Sequence, residues 1–271
     1  MSTTWRLLIT DPAPGSWNMA VDEAIAILAA AGRSPTTLRF YRWQPPAVSL
    51  GRHQPLADID RGRLEQAGYG LVRRPTGGRA ILHIDELTYS VAGPAGDETL
   101  SGPVLDTYNR LSEGLMLGLQ RLGLPVRKAP GSNRPGIQAG PVCFEVPSAY
   151  ELCIDGRKIM GSAQSRRRGY VLQHGSLPLW GDITRLVDVL AVSDERERAV
   201  WRATLAQRAT TLEAALGRRV SFWEAATVLV DGLTSVLGID LEEGGLTDEE
   251  LTLARELEAT VYAHPDWLGR V

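Results

Sequence analysis

The sequence predicts an α+β fold: a mostly antiparallel or mixed sheet with flanking helices, followed by a helical C-terminal region. Three observations predict it. Short alternating runs broken by Gly, Pro and Asp turns fill residues 38–92 and 149–179. Two longer patterns with helical spacing occupy residues 16–31 and 104–122, and from Asp182 onward the periodicity is almost wholly helical.

Residues 5–9 open as a strand, and the turn Asp11-Pro12-Ala13-Pro14-Gly15 leads into the helix at 16–31, which Gly32 stops. Residues 38–43 and 47–51 read as strands broken by Pro45-Pro46, and residues 58–68 as a short helix. Residues 70–74 and 79–83, joined across Pro75-Thr76-Gly77-Gly78, and then 88–92 read as strands of a meander, not of a βαβ wind. The amphipathic helix at 104–122 ends at Gly123, and residues 124–128 return to extended character. A loop rich in Pro, Gly, Ser and Asn covers 129–141, a length usually tied to function or disorder. The second strand set runs through 149–154, the Asp155-Gly156 turn, 157–164, a basic turn at 165–169, and 170–179. Asp-Gly between alternating runs is a strong hairpin signal. In the helical region, Ser221 with Glu224 and Thr247 with Glu250 have capping-box spacing.

Lys and Arg number 29 against 32 Asp and Glu, a net charge of −3, which removes a bulk-electrostatic nucleic-acid binder. The weakly polar run 19–31 holds Asp22 and Glu23, which argues against a spanning helix, and no basic, apolar leader opens the chain. The expectation is a cytoplasmic protein with no nucleic-acid or membrane partner. Only two cations are lysine, Lys128 and Lys158; the other 27 are arginine. Where a fixed positive charge suffices the chain uses Arg, so a lysine marks a place for a titratable amine. That filter selects Lys158 and leaves Lys128 without a role.

Three segments carry candidate chemistry. In Arg73-Arg74-Pro75-Thr76-Gly77-Gly78-Arg79-Ala80-Ile81-Leu82-His83, two glycines let the backbone approach a ligand. The guanidiniums offer planar donors to a carboxylate, phosphate or thioester carbonyl, although the segment alone reads equally as a hairpin with solvated arginines. In Lys158-Ile159-Met160-Gly161-Ser162-Ala163-Gln164, alternation puts Lys158, Met160, Ser162 and Gln164 on one strand face. Cys143, within Pro141-Val142-Cys143-Phe144-Glu145, ends the long loop, where access suits a reactive thiol and Lys158 is the candidate neighbour with a proton to trade. Cys153, mid-strand between Leu152 and Ile154, reads as packing. His83, and His174 within Gln173-His174-Gly175-Ser176-Leu177, have no carboxylate or Cys at ligand spacing, and His53 and His264 no supporting context; no metal is expected.

Taken in order, residues 73–83, 142–148, 156–164 and 172–176 resemble the biotin/lipoate protein ligase and transferase superfamily, a likeness extending over about residues 38–179. They are most similar to its cysteine-dependent octanoyltransferases of lipoate assembly. The resemblance implies a catalytic domain like that of class II aminoacyl-tRNA synthetases and biotin ligases. Its core would span about residues 35–245 of a single domain over 1–271, with 182–271 mainly helical. It implies Cys143 as acyl-thioester nucleophile and Lys158 as a lysine held to lower its pKa and to orient the reacting carbonyl. Arg73, Arg74, Thr76, Gly77, Gly78, Arg79 and His83 would form the acyl-substrate pocket, completed by Gly161, Ser162, Ala163, Gln164, His174 and Gly175. An apolar tunnel walled by Met160 and Leu82 would take the acyl chain, and Arg166-Arg167-Arg168 would dock acidic partners. The implied reaction moves octanoate from octanoyl-acyl carrier protein to the target lysine of a lipoyl domain, such as that of the glycine-cleavage H protein, without ATP or metal. ATP-dependent ligases of the superfamily carry a third glycine where this chain has Arg79 and do not rely on a cysteine at position 143, which favours a transferase. A ligase, and an amidotransferase acting between lipoyl domains, stay open as alternatives, as does a non-catalytic acyl-group binder.

Overall fold

Where a helix lies between two strands the strands end up parallel, and where a two-residue turn joins them they end up antiparallel; both devices build this fold. The computed structural model describes residues 3–129 and 151–271. The chain begins β1 (Thr3–Ile9), α1 (Gly15–Ala30), β2 (Thr37–Tyr41), β3 (Ala47–Leu50), α2 (Arg61–Gln66), β4 (Gly70–Arg73), β5 (Ile81–His83), β6 (Glu86–Pro94) and α3 (Val104–Arg121). It continues β7 (Arg127–Lys128), β8 (Leu152–Ile154), β9 (Arg157–Arg167), β10 (Tyr170–Pro178), α4 (Glu195–Arg208), α5 (Leu212–Leu216), α6 (Phe222–Leu237), β11 (Ile239–Glu243), α7 (Asp248–Leu257) and α8 (Pro265–Leu268). The large sheet is eight-stranded in the order β11-β1-β2-β6-β10-β9-β8-β7, and β4-β3-β5 form a small second sheet. The α+β class holds.

The expected meander does not. β1 and β2 run parallel around α1, and β3 and β4 run parallel around α2. A crossover helix returns the chain to the end where the first strand began, which no tight turn can do. β2 and β3, read as neighbours, lie in different sheets. β11 corrects the almost wholly helical reading after Asp182: it pairs parallel with β1 at the sheet edge. Its exposed Asp240, Glu242 and Glu243 mask the strand pattern and suit an edge.

The hairpins form as read. Asp155 and Gly156 sit at φ 49° and 76°, and Arg168 and Gly169 at 48° and 81°, so both central residues of each turn are left-handed, matching the strand twist. β9 pairs antiparallel with β10, with Gly161 opposite Ser176 and Ala163 opposite His174. β10 pairs with β6, and β6 with β2, so Tyr41, Thr88, Ser176 and Gly161 form one row across the sheet.

Alternation splits the sheet between two cores. Leu38, Phe40, Tyr89, Val91 and Val171 pack with Leu111 and Leu115 of α3 and Leu229 and Leu233 of α6. Ala92 and Leu172 pack on the other face with Met19, Val21, Ala24 and Ile25 of α1. α1 is apolar nearly all round because α7 covers its outer side. Arg6 of β1 meets Glu250 of α7 at 2.5 Å, and Glu250 also closes the capping box with Thr247.

β7 and β8 pair, and Ala129 N donates to Glu151 O at 2.7 Å. Lys128 gains the role that the sequence withheld: its ammonium holds Glu113 of α3 at 2.8 Å and the Asn109 side chain. No helix among the described residues is long and apolar enough to cross a membrane.

Candidate active site

A cavity of about 380 Å³ opens over the row that contains Tyr41, Thr88, Ser176 and Gly161, a size usual for small-molecule sites. Its apolar lining comes from Met19, Tyr41, Trp43 and Ile81. The expected walls Met160 and Leu82 are not among them: Met160 belongs to the core beneath α3, and Leu82 packs in the small-sheet cluster. Trp43 is fixed by donating Nε1 to Thr88 Oγ1 at 2.8 Å and by stacking on His83, ring centroids 3.9 Å apart and 9° from parallel. His83 in turn bridges Ser49 Oγ at 2.8 Å and Glu86 Oε1 at 2.7 Å. His83 lines the cavity.

Arg74, Gly77, Gly78 and Arg79 border the cavity, with Gly77 and Gly78 exposed. Gly78 has φ 95°, and a Cβ on Gly51 would fall 1.9 Å from its carbonyl oxygen, so two backbones meet there without side chains. Arg74 shapes this loop, donating to the carbonyls of Ser49 at 2.9 Å, Gly77 at 2.7 Å and Arg79 at 2.8 Å. Arg73 corrects the pocket assignment. It does not line the cavity, and its guanidinium donates to the carbonyls of Gly51, Gln54 and Leu268 at 2.8, 2.7 and 2.7 Å, strapping α8 to the loop after β3. Thr76 is likewise buried off the lining, with Oγ1 2.7 Å from His174 Nε2.

Beneath His174 lies a buried polar hub. Asp22 accepts from Arg39 at 2.7 Å, from Tyr41 at 2.8 Å and from Ser90 at 2.8 Å. Burial pushes the Asp22 carboxyl towards protonation, but the opposing effects, led by the Arg39 charge, hold it below the usual carboxylate value. His174 Nδ1 is 3.7 Å from Asp22, beyond hydrogen-bond range, and has no hydrogen-bond partner among the described residues. Burial pushes this ring below its ordinary value against the weaker pull of Asp22, so His174 is neutral at pH 7.

Lys158 reaches this face through an irregularity. Leu152 pairs with Met160 but Cys153 pairs with Lys158, leaving Ile159 as an extra residue. Strict alternation would put Lys158 and Gly161 on opposite faces. Instead, a Cβ on Gly161 would stand 3.1 Å from Lys158 Cε and 3.3 Å from Nζ. Lys158 is buried and donates to Glu151 Oε1 at 2.5 Å. Lys158 itself does not line the cavity, but Glu151 and Gly161 do. Cys153 is buried beside this pair, and burial pushes its thiol up, in keeping with a packing role. Cys143 lies outside the described residues.

Ser162, Ala163, Gln164 and Gly175 complete the lining. Tyr89 donates to Ser162 Oγ at 2.7 Å and accepts from Gln173 at 2.9 Å, and burial raises its hydroxyl to about 12. A Cβ on Gly175 would lie 2.5 Å from Tyr89 Cε1 and 2.6 Å from the Gly161 carbonyl, so the close fit of β10 against β9 requires glycine. Sequence reasoning missed Glu151, Trp43 and Met19. The only available signal for Glu151 was one carboxylate in the apolar run 149–154. Among the described residues no group of three or more His, Cys, Asp or Glu side chains is arranged to hold a metal ion.

The lipoyl protein ligase A/B catalytic domain matches residues 14–234. The chain belongs to that family. Within the lipoyl ligase family, it is 44% identical to octanoyltransferase LipM of Symbiobacterium thermophilum over 277 residues, covering 98% of each chain. It is 42% identical to octanoyltransferase LipM of Moorella thermoacetica, over 98% of each. Among solved members, a bipartite lipoate protein ligase of Thermoplasma acidophilum, studied with its E2 lipoyl domain, has a TM-score of 0.82 at 28% identity, covering 99% of this chain and 98% of its own. A lipoate-protein ligase A bound with ATP has the same score and identity, with 99% and 100% covered. The cavity therefore lies in a ligase-family fold whose curated relatives carry the transferase name.

Proposed function

We propose that the chain transfers an octanoyl group from a carrier-bound thioester, through a thioester on Cys143, to the target lysine of a lipoyl domain, without ATP or a metal ion. The near-full-length similarity to octanoyltransferases carries this reading, and the buried Lys158–Glu151 pair beside an apolar-lined cavity supports it. The donor is read as octanoyl-acyl carrier protein and the acceptor as a lipoyl domain such as that of the glycine-cleavage H protein.

The chemistry balances without a nucleotide. Cys143 as thiolate attacks the thioester carbonyl; its C–S bond forms, the donor C–S bond breaks, and the departing sulfur takes up the proton that Cys143 gave up. The lysine amine then attacks the acyl-enzyme; a C–N bond forms, the Cys143 C–S bond breaks, and the amine proton goes to the released thiolate. Thioester exchange is nearly isoenergetic and thioester-to-amide transfer is downhill. The Lys158 ammonium, held by Glu151, supplies positive charge for the carbonyl oxygen as it becomes anionic, where a water-poor wall makes that charge most effective.

The structural likeness to an ATP-bound ligase favours one alternative, ATP-dependent ligation of free octanoate. Intact mass after mixing with octanoyl carrier protein separates the two. Transfer predicts an octanoyl adduct on the wild type that Cys143→Ser abolishes. Ligation predicts modification of a lipoyl domain by octanoate and ATP that Cys143→Ala leaves intact, and that outcome would overturn the reading.

A further inference from the structure

Three guanidiniums gather around the loop that borders the cavity. Arg52 N donates to Thr76 O at 2.8 Å, and Arg167 Nη2 donates to Pro75 O at 3.0 Å, so both are tied to the same stretch. Arg52 and Arg270 share the Trp267 indole, their guanidinium carbons 5.9 and 4.8 Å from the ring centroid. None of the three forms an ion pair among the described residues, whereas Arg6, Arg39, Arg185 and Arg202 each meet a carboxylate. Glu23, the carboxylate that acts on Arg52, is buried and already accepts from Tyr170 at 2.7 Å and Tyr262 at 2.5 Å. Burial first, then the charges of Arg167 and Arg270, pull Arg52 below its ordinary value. Packing thus holds like charges together, and among the described residues no carboxylate forms an ion pair with any of the three. Arg166, expected in a basic patch with Arg167 and Arg168, points elsewhere: it donates to Leu100 O at 2.8 Å and Thr107 Oγ1 at 2.6 Å.

We propose that Arg52, Arg167 and Arg270 form an anion site for a phosphate carried by the acyl donor, the phosphodiester of its pantetheine arm. The proposal rests on the transfer reading above. Planar guanidinium forks from more than one side suit a tetrahedral oxyanion better than a single carboxylate. The donor is the partner that carries such a group. Its thioester enters the cavity past the exposed Gly77 and Gly78 while the phosphate, farther along the arm, stays outside. A lipoyl-domain lysine brings no phosphate.

The test compares octanoyl-pantetheine, octanoyl-4′-phosphopantetheine and octanoyl carrier protein as donors, reading the rate of acyl-enzyme formation by intact mass. On the wild type, the phosphorylated small donor should exceed the unphosphorylated one about tenfold or more in kcat/KM, an advantage that shrinks with salt. Replacing Arg52, Arg167 and Arg270 together by Gln should erase the advantage while acylation by octanoyl-pantetheine stays unchanged. Arg270→Gln alone, at an exposed position, should reduce it and serves if the triple variant does not fold. An advantage that survives in the variants, or an equal loss with all three donors, overturns the proposal. So does a loss confined to carrier protein, which assigns the cluster to carboxylates of that protein. If no donor acylates the wild type, the transfer reading has failed. Calorimetric binding of 4′-phosphopantetheine then decides the site independently: binding lost in the variant supports it, and no binding to the wild type overturns it.

Discussion

Lys158 Nζ and Glu151 Oε1 stand 2.5 Å apart in a buried pair, and the extra residue Ile159 is what turns the lysine towards the cavity side. Glu151 Oε2 has no hydrogen-bond partner among the described residues, although Glu151 lines the cavity. The wall therefore presents a charged pair with spare acceptor capacity next to apolar side chains, an arrangement that stability alone does not reward.

Gly161→Ala should misplace the lysine. The new Cβ, 3.1 Å from Lys158 Cε, pushes the side chain out of line with Glu151 while leaving the β9–β10 backbone pairing intact. Displacements of about 1 Å at a reacting centre cost about 100-fold in rate. Acyl-transfer assays should show a loss of that order with a nearly unchanged melting temperature; wild-type activity would rule out Lys158 as the working group.

Replacing Glu151 should be costly to the fold. Glu151→Leu takes the carboxylate away from a buried ammonium, worth about 3–5 kcal/mol in comparable buried pairs. Glu151→Gln keeps an accepting oxygen and should lose less. Urea denaturation of both variants checks the order, and equal stabilities would show that Lys158 has moved to another partner.

The His174 ring should leave a mark on stability between neutral and mildly acid pH. Its folded value lies below the ordinary 6.5, chiefly through burial. As pH falls past 6.5 the unfolded chain therefore takes up the proton first, and stability declines until the folded ring also protonates. His174→Gln should flatten this stretch of the stability curve, provided that the amide keeps the contact with Thr76. A slope identical to wild type would place the titration elsewhere.

Glu250 governs a lower range. Burial raises its carboxyl, but hydrogen bonds from Arg6, Ser34 and the Thr247 amide, with the Arg6 charge, outweigh that and lower it below 4.5. Its contribution is thus complete above 4.5 and disappears as pH falls through the folded value. Glu250→Gln should be less stable than wild type at pH 7, and the two melting temperatures should converge in acid.

How much of this was legible in the sequence depends on the range of the interaction. The Asp155-Gly156 turn, the ends of α1 and α3 at Gly32 and Gly123, and the cavity places of Gly77, Gly78, Arg79, His83, Gly161 and His174 follow from local chemistry or from motif likeness. The bulge at Ile159 depends on the register against β8, which no single strand encodes. Arg73 shows the same limit, since one of the carbonyls that occupy it, that of Leu268, comes from the opposite end of the chain. Asp22 and Glu23 were visible as two acids in an apolar helix, a reason to reject a membrane span. Their partners, Arg39 and Tyr41 for one and Tyr170 and Tyr262 for the other, appear only once the sheet is assembled.

The neck formed by β7 and β8 has a consequence for how freely the chain can vary. Residues 130–150, which carry Cys143, leave and return where Ala129 bonds to Glu151, with Lys128 fastening one side to α3. Closing a longer stretch across the same two points costs only about 0.6 kcal/mol per doubling of its length. Closure entropy by itself therefore sets almost no limit on how many residues lie between the neck strands. On the proposed reaction, any strict limit on that number comes from catalysis, because the Cys143 thiol would have to reach the cavity from a fixed pair of anchors, one of which is the residue that holds Lys158.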